Sequence, residues 1–319
     1  MTNVLIYGAG AIGSFMGYLF SEINGSNRPT IENVALLGRE SHIQRIKKIG
    51  LRINFQEGSE LFKFQHCFSN LDDLKESEFT PSIIIICVKT YSLSKVCDEI
   101  KASGMLTGKL KSATFILLMN GMGNRELFDL ESCTIHEGLT SIGVVFSEDG
   151  LIELKGRGKT VFEDVIEAGI KEFIEARFDE KGFEIEFASD FTNQQWNKLF
   201  ANAVINPITA LTREKNGIVQ SLELEYVVEN IIEECMSVAE KEGYLFDKAD
   251  VLESIFFIVS KTFMNTSSML QDVLNIRQTE IESINGYVVR LADKHAISVP
   301  VNKTLFALIR VMRFENRAE

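Results

Sequence analysis

Residues 4–13 read VLIYGAGAIG, a short apolar run that passes directly into a glycine-rich loop. The loop matches the pattern G-x-G-x-x-G, and an amphipathic stretch follows it, so the motif has strand–turn–helix context. In that context Gly8 permits a tight turn, Gly10 admits a pyrophosphate and Gly13 allows the helix to pack closely on the strand. The alternative is a glycine-rich turn that serves packing alone. The context favours a dinucleotide site formed by Gly8, Ala9, Gly10, Ala11, Ile12 and Gly13.

Outward from this loop, apolar runs rich in β-branched residues alternate with amphipathic stretches as far as about residue 188. The clearest runs span residues 4–7, 34–37, 83–88 and 115–119. Their near-continuous hydrophobicity fits strands that are buried on both faces of a parallel sheet. Two shorter runs, 151–154 and 160–162, lie next to the turn sequences SEDG and KGRG and predict a hairpin at the sheet edge.

The pattern changes from Gln194 onward, where apolar residues recur at spacings of three and four and strand signals almost vanish. Helices are predicted over 218–242, 251–264, 280–295 and 303–314. In the first of them Leu222 and Tyr226 belong to the predicted apolar face, and Gly243 ends the helix. The fold class is therefore an α/β N-terminal Rossmann domain with a mostly parallel sheet, residues 1–189, followed by an all-α C-terminal domain, residues 190–319.

Composition excludes several classes of protein. The 319 residues contain 33 Lys and Arg against 45 Asp and Glu, so the net charge of −12 repels nucleic acid. The five cysteines are widely spread without a C-x-x-C pair, which indicates reduced thiols and neither a disulfide framework nor a metal site. No basic leader is present, and no apolar run approaches the roughly 18 residues of a membrane span. A cytoplasmic protein is expected.

The end of the second predicted strand bears on the choice of cofactor. An acidic residue there would bind the ribose 2′-hydroxyl of NAD, whereas an arginine accommodates the 2′-phosphate of NADP. Here the strand ends in Gly38 and Arg39, although Glu40 follows directly. The alternative for Arg39 is a solvated surface charge, but the pattern favours NADP. Lys89 and Asn120 follow two further strands and are expected at the same sheet edge.

Lys198, Asn202 and Asn206 recur every four residues in an otherwise apolar stretch and share one face of a helix. A lysine among apolar side chains is costly unless it is paired or functional, and the pKa of such a lysine shifts readily. The alternative is a lysine that extends its charge to water, with Asn206 capping the helix before Pro207.

Polar residues also cluster in 265–272 and 277–282. Ser268 with Gln271 and Thr279 with Glu282 fit capping boxes, and Glu280 in a first turn would be favoured by the helix dipole. Two polar caps joined by so short a segment would also form a hydrogen-bonding rim between apolar helices.

Five motifs in order resemble the ketopantoate reductase (2-dehydropantoate 2-reductase) family over nearly the full chain. They are GAGAIG at 8–13, NGMG at 120–123, the stretch 197–210, SSMLQD at 267–272 and TEIESING at 279–286. The resemblance implies a Rossmann domain, a helical domain and NADPH-dependent reduction of 2-dehydropantoate to pantoate for pantothenate and coenzyme A synthesis. The partner would be a small 2-oxo acid, and a homodimer is left open.

Carried over residue by residue, the resemblance makes Lys198 the proton donor and Glu280 a carboxylate that touches substrate or cofactor. The implied substrate-binding residues, besides Lys198, are Asn120, Asn202, Asn206, Asn265 and Ser268. The implied NADPH contacts beyond the glycine loop are Arg39, Lys89, Asn120, Glu280 and the backbone near Val144.

Two positions depart from the family pattern. Ser92 stands where a glutamine is typical, and Leu154 with Lys155 replaces a usual histidine. Both concern the substrate more than the chemistry. Two alternatives therefore stay open: an NADP-dependent 2-oxo acid or hydroxyacid dehydrogenase with a different substrate, and a non-catalytic NADPH sensor. A sensor would have no reason to align Lys198, Asn202 and Asn206.

Overall fold

The computed structural model describes residues 2–22, 30–131 and 133–312, which form two compact units. Unit 1 contains the chain up to Met119 and the segment Asn124–Phe191. Unit 2 contains Asn120–Gly123 and the chain from Thr192 onward. The four residues 120–123 thus belong to the helical unit, which the sequence did not predict.

Unit 1 is built on one sheet of mostly parallel strands. The strands are β1 (Val4–Tyr7), β2 (Thr30–Leu37), β3 (Leu51–Phe55), β4 (Gly58–Phe68), β5 (Ile83–Ile86), β6 (Thr114–Leu118), β7 (Thr134–Thr140), β8 (Gly143–Glu148), β9 (Leu151–Gly156), β10 (Thr160–Glu163) and β11 (Ile185–Ala188). Their order is β11-β10-β7-β6-β5-β1-β2-β4-β3-β9-β8. The central strands β4, β2, β1, β5, β6 and β7 pair in parallel in the order of a Rossmann fold, as predicted.

The four isoleucines of β5 show that the sheet is covered on both faces. β5 lies between β1 and β6, with Ile83 opposite both Val4 and Thr114. Ile83 and Ile85 belong to one hydrophobic cluster, whereas Ile84 and Ile86 belong to another. Since successive side chains point to opposite faces, each face of the strand enters its own core.

In the part of unit 1 that the structure describes, six α-helices accompany the strands: α1 (Ala11–Leu19), α2 (Glu40–Ile49), α3 (Leu71–Glu76), α4 (Leu93–Ala102), α5 (Asn124–Leu127) and α6 (Ala168–Glu180). A hairpin lies at one end of the sheet, where β8 and β9 pair antiparallel on either side of SEDG. The predicted pairing of 151–154 with 160–162 is wrong, because β9 pairs with β3 and β8, whereas β10 pairs with β7 and β11 toward the other end of the sheet.

Unit 2 has no strand within residues 120–123 and 192–312. Its helices are α7 (Phe191–Thr212, which starts at the last residue of unit 1), α8 (Glu225–Lys241), α9 (Lys248–Lys261), α10 (Ser268–Leu274), α11 (Asn285–His295) and α12 (Pro300–Arg310). Among the described residues, no helix combines the length and apolar character needed to cross a bilayer.

The predicted helix over 218–242 is wrong in its first part. Asn216–Gln220 and Leu222–Leu224 form 3₁₀ turns, because Ser221 between them has an extended backbone (φ −66°, ψ 134°). The α-helix begins only at Glu225. Leu222 and Tyr226 are 83% and 75% exposed, so they do not belong to the buried face.

Other predicted helix boundaries are also corrected. The helix expected from Glu280 begins at Asn285, because Ile284 (φ −109°, ψ −101°) interrupts the chain after the 3₁₀ turn Ile281–Ser283. α9 begins three residues before the predicted start, where the Asp247 carboxylate accepts from two backbone N–H groups. α12 begins at Pro300 rather than Lys303, and the predicted residues 313–314 lie outside the described residues.

Neither predicted capping box forms. Ser267, not Ser268, caps α10, and its Oγ accepts a hydrogen bond from the backbone N–H of Leu270 at 3.1 Å. Glu280 precedes a 3₁₀ turn without any side-chain cap. Asn206 does not cap α7 either, because the helix continues through Pro207 to Thr212.

A buried polar contact compensates for that internal proline. Pro207 has no N–H to donate to Ala203, four residues earlier. The fully buried Asn285 Nδ2 donates to the Ala203 carbonyl at 3.1 Å and to Asn302 Oδ1 at 2.9 Å. Asn302 in turn donates to the Glu234 carboxylate at 2.8 Å. The network therefore joins α7, α8, α11 and α12.

Asn285→Ala should lower the free energy of unfolding of unit 2 by about 2 kcal/mol, because it leaves a buried carbonyl without a donor. Pro207→Ala restores a backbone N–H there, so the double variant should lose less than Asn285→Ala alone. Urea unfolding followed by the fluorescence of Trp196, the only tryptophan and a core residue of unit 2, measures this. Thr304→Ala, an exposed change on α12, is the control and should stay within about 0.5 kcal/mol. Strictly additive losses would contradict the compensation.

Candidate active site

Three predicted site residues from distant parts of the sequence meet in unit 2. The partly buried Lys198 on α7 donates from Nζ to Asn120 Oδ1 at 3.0 Å. Asn120 donates from Nδ2 to Glu280 Oε2 at 3.3 Å. The Glu280 residue is only 6% exposed. The amide of Asn120 therefore bridges a cation and a carboxylate.

The apolar residues of α7 orient its polar face. Trp196, Leu199 and Phe200 are buried in the core of unit 2. Lys198, Asn202 and Asn206 all lie within α7 at the four-residue spacing that places them on one face. Lys198 and Asn202 are partly buried and Asn206 is buried, so the polar face becomes less accessible along the helix.

Two glycines allow the Asn120 loop to lie against the chain that follows Glu280. Gly121 has φ +77°, and a Cβ there would lie 2.3 Å from the Ser283 carbonyl oxygen. Gly123 has φ +78°, and its Cβ would lie 2.9 Å from the Tyr287 ring. The Met122 N–H donates to the Ser283 carbonyl at 2.9 Å, and Ser283 Oγ donates to the Glu280 carbonyl at 3.0 Å. This contact fixes Asn120 beside Glu280.

Burial lowers the pKa of Lys198 from its ordinary value of 10.5 to about 8, while the negative charge of Glu280 opposes the decrease. An ammonium in this range is still largely protonated at neutral pH but gives up its proton more readily than an exposed lysine. That is the property required of a general acid.

The second polar cluster lies at the other end of α7. Ser267 Oγ and Thr209 Oγ1 are 2.6 Å apart and both buried, so the start of α10 is fixed to α7. The predicted substrate residues Asn265 and Ser268 flank this contact and are exposed. The structure therefore places them near the C-terminal part of α7, and their contact with a substrate stays a prediction.

Asn216 is a polar residue that sequence reasoning missed. It is buried, and its backbone N–H donates to the carbonyl of Asn265 at 3.0 Å. Its Nδ2 donates to Thr262 Oγ1 at 3.0 Å, whereas its Oδ1 is buried and accepts no hydrogen bond from the described chain. The Asn-Gly pair at 216–217, like the one at 120–121, was the available signal.

In unit 1 the glycine loop fits a dinucleotide phosphate. Gly8 has φ +101°, and a Cβ there would lie 2.7 Å from Val88 Cγ1. A Cβ on Gly13 would lie 2.1 Å from the Gly8 carbonyl oxygen, whereas a Cβ on Gly10 would meet nothing within 4 Å. The close approaches hold α1 against the sheet, and the open side at Gly10 leaves the start of α1 accessible to an anion.

The predicted cofactor cations follow the two strands that lie on either side of β1. Arg39 follows β2 at the start of α2, and its Cζ lies 5.1 Å from the centroid of the Phe146 ring. Lys89 follows β5 and is half-buried. β2 and β5 flank β1, which carries the glycine loop. Val144 lies on the edge strand β8 opposite Leu154, and its contact with cofactor stays a prediction.

The glycine loop in unit 1 and the lysine site in unit 2 define a nicotinamide-dependent oxidoreductase. Residues 4–167 match the family described as ketopantoate reductase PanE/ApbA, and residues 190–313 match its C-terminal part. The chain belongs to the ketopantoate reductase family.

Individual relatives agree with this assignment. A 2-dehydropantoate 2-reductase from Pyrococcus horikoshii is 32% identical over 97% of this chain and 96% of its own length. A solved PanE/ApbA family ketopantoate reductase from Ralstonia eutropha JMP134 is 27% identical with a TM-score of 0.83, covering 98% of each chain. D-mandelate dehydrogenase with NADH and anilino(oxo)acetate is similar in fold, at 23% identity, a TM-score of 0.81 and 97% of each chain.

With Lys198 as the predicted proton donor, the activity should fall as pH rises through about 8, because the donor must be protonated before reduction. Glu280→Gln removes the charge that raises the pKa of Lys198, so the basic limb of kcat/KM should move to lower pH. Glu282→Gln is the control, since Glu282 pairs instead with Arg290 and Arg310, and it should leave the limb in place. A basic limb that stays in place in Glu280→Gln would contradict the electrostatic coupling.

Proposed function

We propose that this chain reduces 2-dehydropantoate to pantoate with NADPH as the cofactor. The observation that carries the proposal is the partly buried ammonium of Lys198, bound to Asn120 and electrostatically coupled to Glu280. The family of the chain and its relatives named 2-dehydropantoate 2-reductase support the choice of 2-dehydropantoate as the substrate. The product feeds pantothenate and coenzyme A synthesis.

Bound NADPH supplies the hydride that the ketone carbon accepts. Lys198 Nζ hydrogen bonds to the ketone oxygen, stabilises the negative charge that develops there and transfers a proton to it. The carbonyl thus gains one hydride and one proton and becomes a secondary alcohol, while Lys198 is left as a neutral amine that is reprotonated from water. Asn120 Oδ1 accepts from Nζ and thereby fixes the direction in which the ammonium points.

Polar side chains along the face of α7 that carries Lys198, and at the start of α10, would hold the substrate. Asn202 and Asn206 extend the polar face of α7, and Asn265 and Ser268 lie at the fixed start of α10. Amide and hydroxyl groups can bind the hydroxyl and carboxylate of a 2-oxo acid, whereas Lys198 supplies positive charge within a chain of net charge −12. Asn120 and Glu280 complete the site beside the reacting carbonyl.

In this proposal the glycine loop, Arg39, Lys89 and the backbone near Val144 would hold the cofactor, and Asn120 and Glu280 are the further predicted contacts. The D-mandelate dehydrogenase neighbour was solved with NADH, so the fold also accommodates a cofactor without a 2′-phosphate. Arg39 after β2, with Gly38 and not a carboxylate directly before it, supports NADPH for this chain.

The two departures from the family pattern lie in unit 1. Leu154 is buried in the core, and the exposed Lys155 pairs with Glu153. Ser92 ends the 3₁₀ turn that follows Lys89. None of them is a residue of the Lys198 site, so they do not favour a different 2-oxo acid or a sensor.

A cytoplasmic homodimer completes the proposal. All five cysteines are free thiols, which supports a reducing compartment. Large exposed apolar side chains in unit 2, including Tyr226, Phe257 and Met264, support an association surface.

Lys198→Ala should reduce kcat by about 10² to 10⁴ while NADPH binding is retained, because it removes the general acid without touching the glycine loop. Turnover is measured as NADPH oxidation with 2-dehydropantoate and, in parallel, with a phenyl-substituted 2-oxo acid. Lys303→Ala, an exposed lysine of unit 2, is the control and should turn over normally. A wild-type protein that binds NADPH but reduces no branched 2-oxo acid would overturn the proposed activity and support the sensor.

Arg39→Ala should reduce the preference for NADPH over NADH by about ten- to a hundredfold, because a charge-assisted hydrogen bond to the 2′-phosphate is lost. The ratio of kcat/KM for the two cofactors measures this preference. Lys48→Ala, an exposed cation on the same helix α2, controls for net charge and should leave the ratio unchanged. If the Arg39→Ala variant prefers NADPH over NADH as strongly as the parent protein does, residues other than Arg39 bind the 2′-phosphate.

A further inference from the structure

His42 is a fully buried histidine on α2, three residues after Arg39, and lies outside the proposed catalytic and binding residues. The backbone N–H of Gly150 donates to its Nδ1 at 2.9 Å. Its Nε2 lies 3.0 Å from Ser14 Oγ. Because Nδ1 accepts a hydrogen bond, the ring proton of the neutral imidazole is on Nε2, and Nε2 donates to Ser14.

The surroundings of His42 keep the ring neutral. Burial lowers the pKa of His42 to about 4, and the positive charge of Arg39 acts in the same direction. Asp149, whose Oδ1 lies 3.9 Å from Nδ1, opposes this decrease. With the ring neutral near pH 7, both nitrogens have a defined role, one as acceptor and one as donor.

These two hydrogen bonds join the segments that carry the proposed cofactor contacts. Ser14 comes directly after Gly13, the last glycine of the loop. Gly150 lies in the turn between β8 and β9, and its carbonyl accepts from the N–H of Arg52 on β3. His42 therefore fixes α2 both to the helix of the glycine loop and to the hairpin.

The ring of His42 also packs against Phe146, the aromatic ring that the Arg39 side chain contacts. The rings of His42 and Phe146 are 4.9 Å apart between centroids. The guanidinium carbon of Arg39 lies 5.1 Å from the centroid of the same Phe146 ring. Arg39 itself is exposed, so the packed Phe146 ring is a fixed surface that limits where its long side chain can point.

We propose that His42 is a positioning residue for cofactor discrimination, which holds Arg39 and Phe146 at a fixed place relative to the glycine loop. The inference rests on the proposed function, since it assumes that Arg39 reads the 2′-phosphate. His42 and Ser14 are fully buried, so the proposal gives them no contact of their own with the cofactor. Their effect on discrimination is therefore transmitted through Arg39.

The test compares dissociation constants for NADPH and NADH in Ser14→Ala, His42→Asn and His42→Ala. Ser14→Ala removes only a buried hydroxyl, so it keeps the test informative if the histidine variants fold poorly. We expect about a tenfold weaker binding of NADPH and less than a threefold change for NADH, with kcat at saturating NADPH within about twofold. His42→Asn retains an acceptor near the Nδ1 position and should lose less discrimination than His42→Ala.

Two controls separate this role from a general loss of stability. His136→Gln changes another buried histidine of unit 1, on β7, and should leave the NADPH to NADH ratio unchanged even where the melting temperature falls. In an Arg39→Ala background, His42→Asn should cause no further loss of discrimination, since both changes remove the same contact.

These measurements distinguish failure of the inference about His42 from failure of the proposed NADPH-dependent function. If the wild type does not prefer NADPH, or if Arg39→Ala keeps the preference, the cofactor assignment fails and the inference fails with it. If Arg39 carries the preference but Ser14→Ala and His42→Asn keep the NADPH to NADH ratio within twofold of wild type, only the inference about His42 is overturned. Equal weakening of both cofactors would also overturn it, because that is the result of a purely structural role.

Discussion

The hydrogen bond from Lys198 Nζ to Asn120 Oδ1 joins α7 to the loop 120–123, and that loop lies against the chain that follows Glu280. An ammonium that is withdrawn from water costs free energy unless a polar partner is supplied in a fixed position. Asn120 reaches that position only because Gly121 and Gly123 let its loop lie against Ser283 and Tyr287. Glu280, on the other side of Asn120, supplies the negative charge that keeps the lysine largely protonated at neutral pH.

The helix that carries Lys198 contains an internal proline, and a side-chain hydrogen bond replaces the backbone hydrogen bond that this proline removes. Pro207 interrupts the hydrogen bonding of α7, and Asn285 replaces the missing donor at Ala203. The segment with Glu280 and the segment with Asn285 are separated only by the 3₁₀ turn Ile281–Ser283 and Ile284. The same stretch of chain therefore stabilises the helix that carries Lys198 and supplies the carboxylate of Glu280, which accounts for the close spacing of these residues in the sequence.

Local sequence signals predicted much of this structure, and long-range packing accounts for the rest. The glycine loop and the run of four isoleucines in β5 have patterns that depend on their nearest neighbours, so their structures could be predicted directly. The starts of two helices could not be predicted in this way. The extended backbone at Ser221 and the unusual backbone conformation at Ile284 interrupt the helix, although the helical spacing of apolar residues continues through both positions. The membership of Asn120 in unit 2 and the contact of His42 with Gly150 depend on residues more than a hundred positions apart in the sequence, and no local pattern reveals these contacts.

The most direct measurement of the central claim is the pKa of the Lys198 side chain, obtained by NMR titration of protein labelled at the lysine side chains. Lys198→Met identifies the signal by its disappearance. The structure predicts that the Lys198 ammonium titrates near pH 8, as the buried side chain of Lys181 also should, well below the ordinary lysine pKa of 10.5. A Lys198 signal that titrates together with the exposed lysines would contradict the account, since it would show that the ammonium is solvated and not held for proton transfer.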